Sequence, residues 1–242
     1  MKRAALLLVF LTPLTAGAWT RASDQRIAKK AAALAPADLR IIIERYNSDY
    51  VTGLTRAQAD EATGTHQFFV VSREGKLRER IEAETNAAIT AMRTNKPLST
   101  FVERLGVLAH LVADANNPFH VANDNTSLTP MHDDFEQYFE RRLTKFPTVF
   151  YGLESNFVVH RYFDRTFSRT SRFYPLIGSE YTRASSSTGF DDRSTAFGVA
   201  SVCYSHAVTD LVNLYYFIWK ESGGDVRSAT ALRRGNLLLN AN

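Results

Sequence analysis

The sequence has 242 residues, 45% hydrophobic and 22% charged, with 29 Lys and Arg against 25 Asp and Glu. That is ordinary globular composition, and it excludes a low-complexity or collagen-like chain. A formal net charge of +4 is no nucleic-acid footprint in itself.

The N-terminus departs from this average. Lys2 and Arg3 precede an apolar run over residues 4–14, and Ala16 and Ala18 form the A-x-A pattern that signal peptidase cuts. The run falls short of the ~20 apolar residues needed to span a bilayer. Residues 1–18 therefore read as a signal peptide. The expected mature chain, residues 19–242, is a secreted or periplasmic single domain that begins at Trp19 and has no transmembrane segment. Without Lys2 and Arg3, 27 basic residues face 25 acidic ones. The single cysteine, Cys203, excludes an intramolecular disulfide, and its apolar neighbours over residues 199–204 make it a buried, inert thiol.

Helical periodicity dominates the rest. Residues 22–34 and 37–58 read as helices, the second following Pro36 with Leu39, Ile42 and Ile43 on one face. A break is expected at residues 62–64, and residues 68–71 could form a short strand. Residues 75–95 read as a charged amphipathic helix that Pro97 ends, and Ser99 as the cap of a more apolar helix running to about Asn116. Pro118 opens a polar loop that lasts to Pro130. Further helices are expected over 131–143, 153–169 and 191–221, the last apolar around much of its circumference, as a central helix is. Residues 168–189 read as irregular, with an exposed loop at 185–187. The fold class is all-α, a single-domain multi-helix bundle.

Chemistry concentrates in one stretch. Of six histidines, His110, His120 and His132 fall within 23 residues, with Asp114 four after His110 and Glu136 four after His132. Residues four apart share a helix face. Two such pairs on consecutive helices, with a loop histidine between them, can converge on adjacent ions. Imidazole and carboxylate are the donors that suit catalytic zinc. His206 and Asp210 repeat the spacing, but no further donor lies near them in sequence, so that pair reads as structural. His160 reads as an ordinary histidine.

The stretch Leu105-Gly106-x-x-x-His110-x-x-x-Asp114, then Pro118-x-His120-x-Ala122-Asn123 and His132-x-x-Phe135-Glu136, resembles the bacterial zinc-dependent phospholipases C. The fungal single-strand-specific zinc nucleases share that family's architecture. The resemblance implies a zinc cluster of two or three ions between the helices. His66, His110 and Asp114 would hold the first ion, with Asp60 as the upstream fourth ligand and Asp49 in reserve. His120, His132 and Glu136 would hold the second. Trp19 and Asp114 would hold part of the third, through the free amine and carbonyl of a mature N-terminal Trp. The family has a histidine shortly after that Trp; this chain has none, and Asp24 stands at the nuclease-type spacing. Asp24 could replace the imidazole or be a helix N-terminal carboxylate.

The implied chemistry is hydrolysis of phosphate esters by a metal-bound water lying between the first and second ions, oriented or deprotonated by Asp60. Phe68, Phe69 and Phe119 flank the ligands. The leading reading is a phospholipase C-type phosphodiesterase, favoured by the P-x-H-x-A-N stretch and by Glu at 136, with transient contact at a membrane surface. The second is a nuclease or 3′-nucleotidase acting on single-stranded nucleic acid. The third is a non-catalytic protein whose zinc ions only hold the helices together.

Overall fold

A helix that is apolar around its whole circumference must be buried, and residues 105–115 form such a stretch, every one of them buried. They belong to α5 (Leu98–Ala115), the centre of a computed structural model that describes residues 19–60, 64–122, 129–226 and 238–239, the side chains of 129, 130, 238 and 239 excepted. The expected signal peptide and the break at 62–63 lie outside the described residues. Around α5 pack α1 (Arg21–Leu34), α3 (Asn47–Gln58), α4 (Leu77–Arg93), α7 (Val159–Thr170) and the long α9 (Thr195–Glu221). α2 (Ala37–Arg45), α6 (Thr129–Arg142) and α8 (Tyr174–Ala184) complete the bundle. Among the described residues no helix is long and apolar enough to cross a membrane.

Two glycines set where α5 lies. A Cβ at Gly106 would fall 2.0 Å from the Tyr50 carbonyl oxygen, and one at Gly53 would fall 1.8 Å from that of Glu103. The α3 and α5 backbones therefore touch, and α5 carries His110 and Asp114 one and two turns beyond Gly106. Gly106→Ala forces the two backbones apart and is expected to destabilise the fold by about 3 kcal/mol, the upper part of the usual overpacking range. Urea unfolding measures this, and a loss below about 1 kcal/mol would mean that the crossing yields easily.

Several elements differ from the sequence expectation. The helix expected over 37–58 breaks at Tyr46 (φ −108°, ψ 33°), so α2 and α3 run separately. Ser99 is not the cap of α5; Pro97 occupies that position, with no side-chain cap bond. Residues 68–71 are not a strand, although the Phe68 and Val70 amides donate to the His120 and Ala122 carbonyls. The one two-stranded ladder among the described residues is antiparallel, pairing β1 (Thr148–Val149) with β2 (Leu238–Leu239).

α7 begins at Val159, six residues later than expected, because the chain before it is extended along α9. Ser205, Thr209 and Asn213, spaced by four, accept from the amides of Val149, Tyr151 and Glu154. The stretch expected to be irregular, 168–189, contains α8, with Pro175 in its first turn and Ser185 left-handed at its end (φ 61°). Ser187 is buried rather than exposed, with its amide and hydroxyl on the Asp134 carboxylate. Cys203 is buried.

Candidate metal centre

α5 presents His110 and Asp114 inward on adjacent turns, and both are wholly buried. A tight turn after α5 brings His120 back toward them, its amide donating to the Asn117 carbonyl. His132 and Glu136 come from α6, also on adjacent turns. His66 arrives on the loop between α3 and α4, which is held to residues 120–122 by the Phe68 and Val70 amides. That loop closes through Gly75 (φ 98°), where a Cβ would meet the Gln67 carbonyl at 2.1 Å.

These residues form two adjacent clusters. His66, His110 and Asp114 make one and His120, His132 and Glu136 the other, with the donor atoms of each within 4.8 Å of one another. His66 Nδ1 lies 2.7 Å and His110 Nε2 3.3 Å from Asp114 Oδ2, and the two imidazole nitrogens are 3.2 Å apart. In the second cluster His132 Nε2 lies 2.8 Å from Glu136 Oε1 and 3.1 Å from His120 Nε2. Asp114 joins the two, its Oδ1 being 4.0 Å from His120 Nδ1.

The outer nitrogens show how the rings are fixed. His66 Nε2 donates to the Asp60 carbonyl (2.9 Å), His120 Nδ1 to the His66 carbonyl (2.6 Å), and His110 Nδ1 to the Asp24 carboxylate (2.7 Å). Each donation turns the other nitrogen of that ring inward, where it carries a lone pair whenever the ring is neutral. Lone pairs that face carboxylate oxygens and one another at these distances repel unless a proton or a cation lies between them. Asp114 Oδ1 is also buried without a hydrogen-bond partner. Ring nitrogens anchored by outer acceptors, with an unsatisfied carboxylate oxygen between them, fit a pair of bound cations.

The charges are strongly coupled. Burial opposes ionisation of Asp114, but His110, His120 and His66 together outweigh it and hold its carboxyl down at about 2. Burial likewise opposes charging His120, and Asp114 and Glu136 overcome it, lifting its pKa to about 9. His110 is raised in the same sense, by Asp114 and Asp24 against burial. Asp24 goes the other way, pushed up to about 7 by burial despite its bond to His110.

The remaining residues named from sequence fall around this core. Trp19 is buried, its indole N–H donating to the Ala113 carbonyl (2.7 Å), its own carbonyl accepting from Gln58 (2.9 Å), and its ring against Phe139. Asp24, in the first turn of α1, contacts His110. Asp60 follows α3 with its carboxylate on Arg80 (2.8 Å), at the edge where His66, 15% exposed, is the most accessible of the six clustered side chains. Asp49 sits in the first turn of α3. Phe119 stacks on His132, whereas Phe68 stacks on Phe167 in the core.

Two contributors have no sequence signal of their own. Asn117 donates to Glu136 Oε1 (2.9 Å) and orients it, and Arg80 reaches Asp60 and the edge of His66 (3.4 Å) from α4. The His206 and Asp210 pair forms no such cluster. Asp210 accepts from Arg169, Tyr162, Thr166 and Asn116, and His206 stacks on Tyr151.

The protein is a helical bundle around one central helix, with two clusters that each bring together two imidazoles and a carboxylate. Its fold is similar to part of that of clostridial alpha-toxins. The crystal structure of Clostridium perfringens alpha-toxin from the avian strain SWCP matches with a TM-score of 0.60 and 16% identity, covering 84% of this chain and 64% of that one. The alpha-toxin of Clostridium absonum matches with a TM-score of 0.62 and 16% identity, covering 84% and 65%. The chain thus spans just under two thirds of the length of these structures. No protein-family model and no curated protein sequence matches it.

Proposed function

We propose that the protein is a secreted or periplasmic zinc-dependent phosphodiesterase that cleaves phospholipids in the manner of a phospholipase C. The observation that carries this reading is the pair of adjacent buried clusters, joined by Asp114, in which the anchored rings turn their second nitrogens inward. The motif resemblance and the alpha-toxin fold support the same assignment.

His66, His110 and Asp114 would hold one zinc, with Asp60 as the fourth donor, and His120, His132 and Glu136 would hold the second. The resemblance also implies a third ion on Trp19, Asp24 and Asp114. Zinc, when bound, lowers the pKa of water toward about 7 and polarises a phosphoryl oxygen. The protein's own groups position that chemistry. The Asp60 and His66 carbonyls fix two rings, Asn117 fixes Glu136, and Phe119 holds the face of His132. Asp60, at the accessible edge, orients the attacking water or takes its proton, and Arg80 beside it places a fixed cation where an anionic head group would enter. Contact with the lipid surface is transient.

The test is a parallel assay on phosphatidylcholine vesicles, single-stranded DNA and a chromogenic phosphodiester, before and after chelation. Release of the phosphorylated head group is expected, lost to chelator and restored by zinc. Cleavage of DNA without cleavage of lipid would replace this reading with the nuclease one. A folded, zinc-loaded protein inert on all three would leave the ions a purely structural role.

A further inference from the structure

Each anchored ring of the centre has an outer partner, and one partner differs in kind. His66 and His120 donate to backbone carbonyls, which are neutral. His110 donates to a carboxylate, Asp24 Oδ2 at 2.7 Å, and both side chains are fully excluded from solvent. Asp24 reaches His110 from 86 residues away, rigidly mounted in the first turn of α1 behind the Thr20 cap. There the helix N-terminus favours a negative charge.

Given the zinc-hydrolase reading, we propose that Asp24 is a positioning residue acting through His110: it fixes the ring with Nε2 turned toward Asp114 and His66, and it strengthens the first cluster's hold on its ion. A carboxylate behind a ligating imidazole sets the tautomer, stops the ring from turning and makes the free nitrogen a better donor. When ionised it also adds a negative charge near the first cluster, beside that of Asp114. This use of Asp24 differs from the ligand role that the resemblance implies. Asp24 Oδ2 lies against His110, and the Trp19 carbonyl, expected to be its co-ligand, already accepts from Gln58. Asp24 Oδ1, buried without a partner, is the atom through which the ligand role would have to operate.

Asp24→Asn separates the two roles, because it keeps the shape and an acceptor for Nδ1 but removes the charge. Zinc titration of the purified metal-free protein against a chromogenic chelator gives the number of ions and the affinity of each. Cobalt substitution gives a visible spectrum of the ligand field. Two ions are expected in the wild type. In Asp24→Asn one of them should bind about 10- to 100-fold more weakly, the usual effect of losing such a partner, with a shifted cobalt band, while the other is unchanged. A packing role would move the melting temperature of the metal-free protein and leave zinc affinity in the folded variant alone. If Asp24→Asn does not fold, Asp24→Ser, which leaves a hydroxyl acceptor, is read in the same way.

Unchanged affinities in a folded variant overturn the proposal. So does a wild type with three ions that loses one in Asp24→Asn while the other two affinities stay put, since Asp24 would then be a ligand. A wild type that binds no zinc overturns this proposal and the functional reading together. The expected weakening, in a protein that hydrolyses no phosphodiester, upholds the role of Asp24 and removes only the functional reading.

Discussion

His110→Ala, His132→Ala and Glu136→Gln are each expected to lower kcat/KM for phosphodiester cleavage by at least about 10³-fold, a loss of about 4 kcal/mol in transition-state stabilisation. The reason is geometric. Each variant removes one of three donors from a cluster whose donor atoms lie within 4.8 Å of one another, so the cation it would hold is lost or displaced. Asp114 couples the clusters, and damage to either one therefore reaches both. Glu136→Gln is the most demanding of the three. It keeps volume and an acceptor for Asn117 and removes only the charge, so its loss is read beside a thermal melt that confirms the fold. His206→Ala is the control, since His206 has the same i,i+4 relation to an aspartate but stacks on Tyr151 outside the centre. Its turnover should stay within a few-fold of wild type. If Glu136→Gln and His206→Ala behave alike in steady-state kinetics, the second cluster takes no part in the reaction.

The contrast between these two pairs shows what the sequence could convey. A spacing of four places His110 with Asp114, and His132 with Glu136, on common helix faces, and the helices themselves follow from their apolar period. Local rules therefore reach most of both clusters. His66 is reached by resemblance and as the one histidine ahead of residue 110. What local rules could not reach are the partners brought in from elsewhere in the chain. Asp24 meets His110 across 86 residues and Arg80 meets Asp60 from α4, and no periodicity encodes either contact. The break at Tyr46 is hidden because the sequence on both sides is helical, and α3 packs along α5 independently of α2 only once the fold is in place. The extended run before α7 was hidden for a related reason. Its amides are satisfied by Ser205, Thr209 and Asn213, which on α9 look like ordinary polar interruptions until the chain that uses them is in place. Residues 174–184 carry their own signal, Pro175 in the first turn, within a stretch whose polar residues otherwise read as irregular.

The second large effect concerns stability and its pH dependence. Where free zinc exceeds the dissociation constant about a thousandfold, each site should stabilise the fold by about 4 kcal/mol. At about 2–4 °C per kcal/mol for a chain of this size, that raises Tm by roughly 8–16 °C per site. The pH dependence should have opposite signs with and without zinc. In the metal-free protein the raised His120, at about 9 against an ordinary 6.5, contributes stability that is fully present below 6.5 and lost as pH rises through 9. His110 acts in the same direction. Zinc requires the same rings neutral, so binding must expel their protons, and affinity should climb across that interval. Rising pH therefore weakens the metal-free fold while it favours the zinc-bound one. Thermal melts with and without zinc between pH 6 and 9 should show the gap in Tm widening with pH. Calorimetry at pH 7 in buffers of different ionisation enthalpy should register at least one proton released per chain on binding. A gap that stayed constant or narrowed toward pH 9 would mean that zinc does not bind through His110 and His120, because a cation held by these rings must displace their protons.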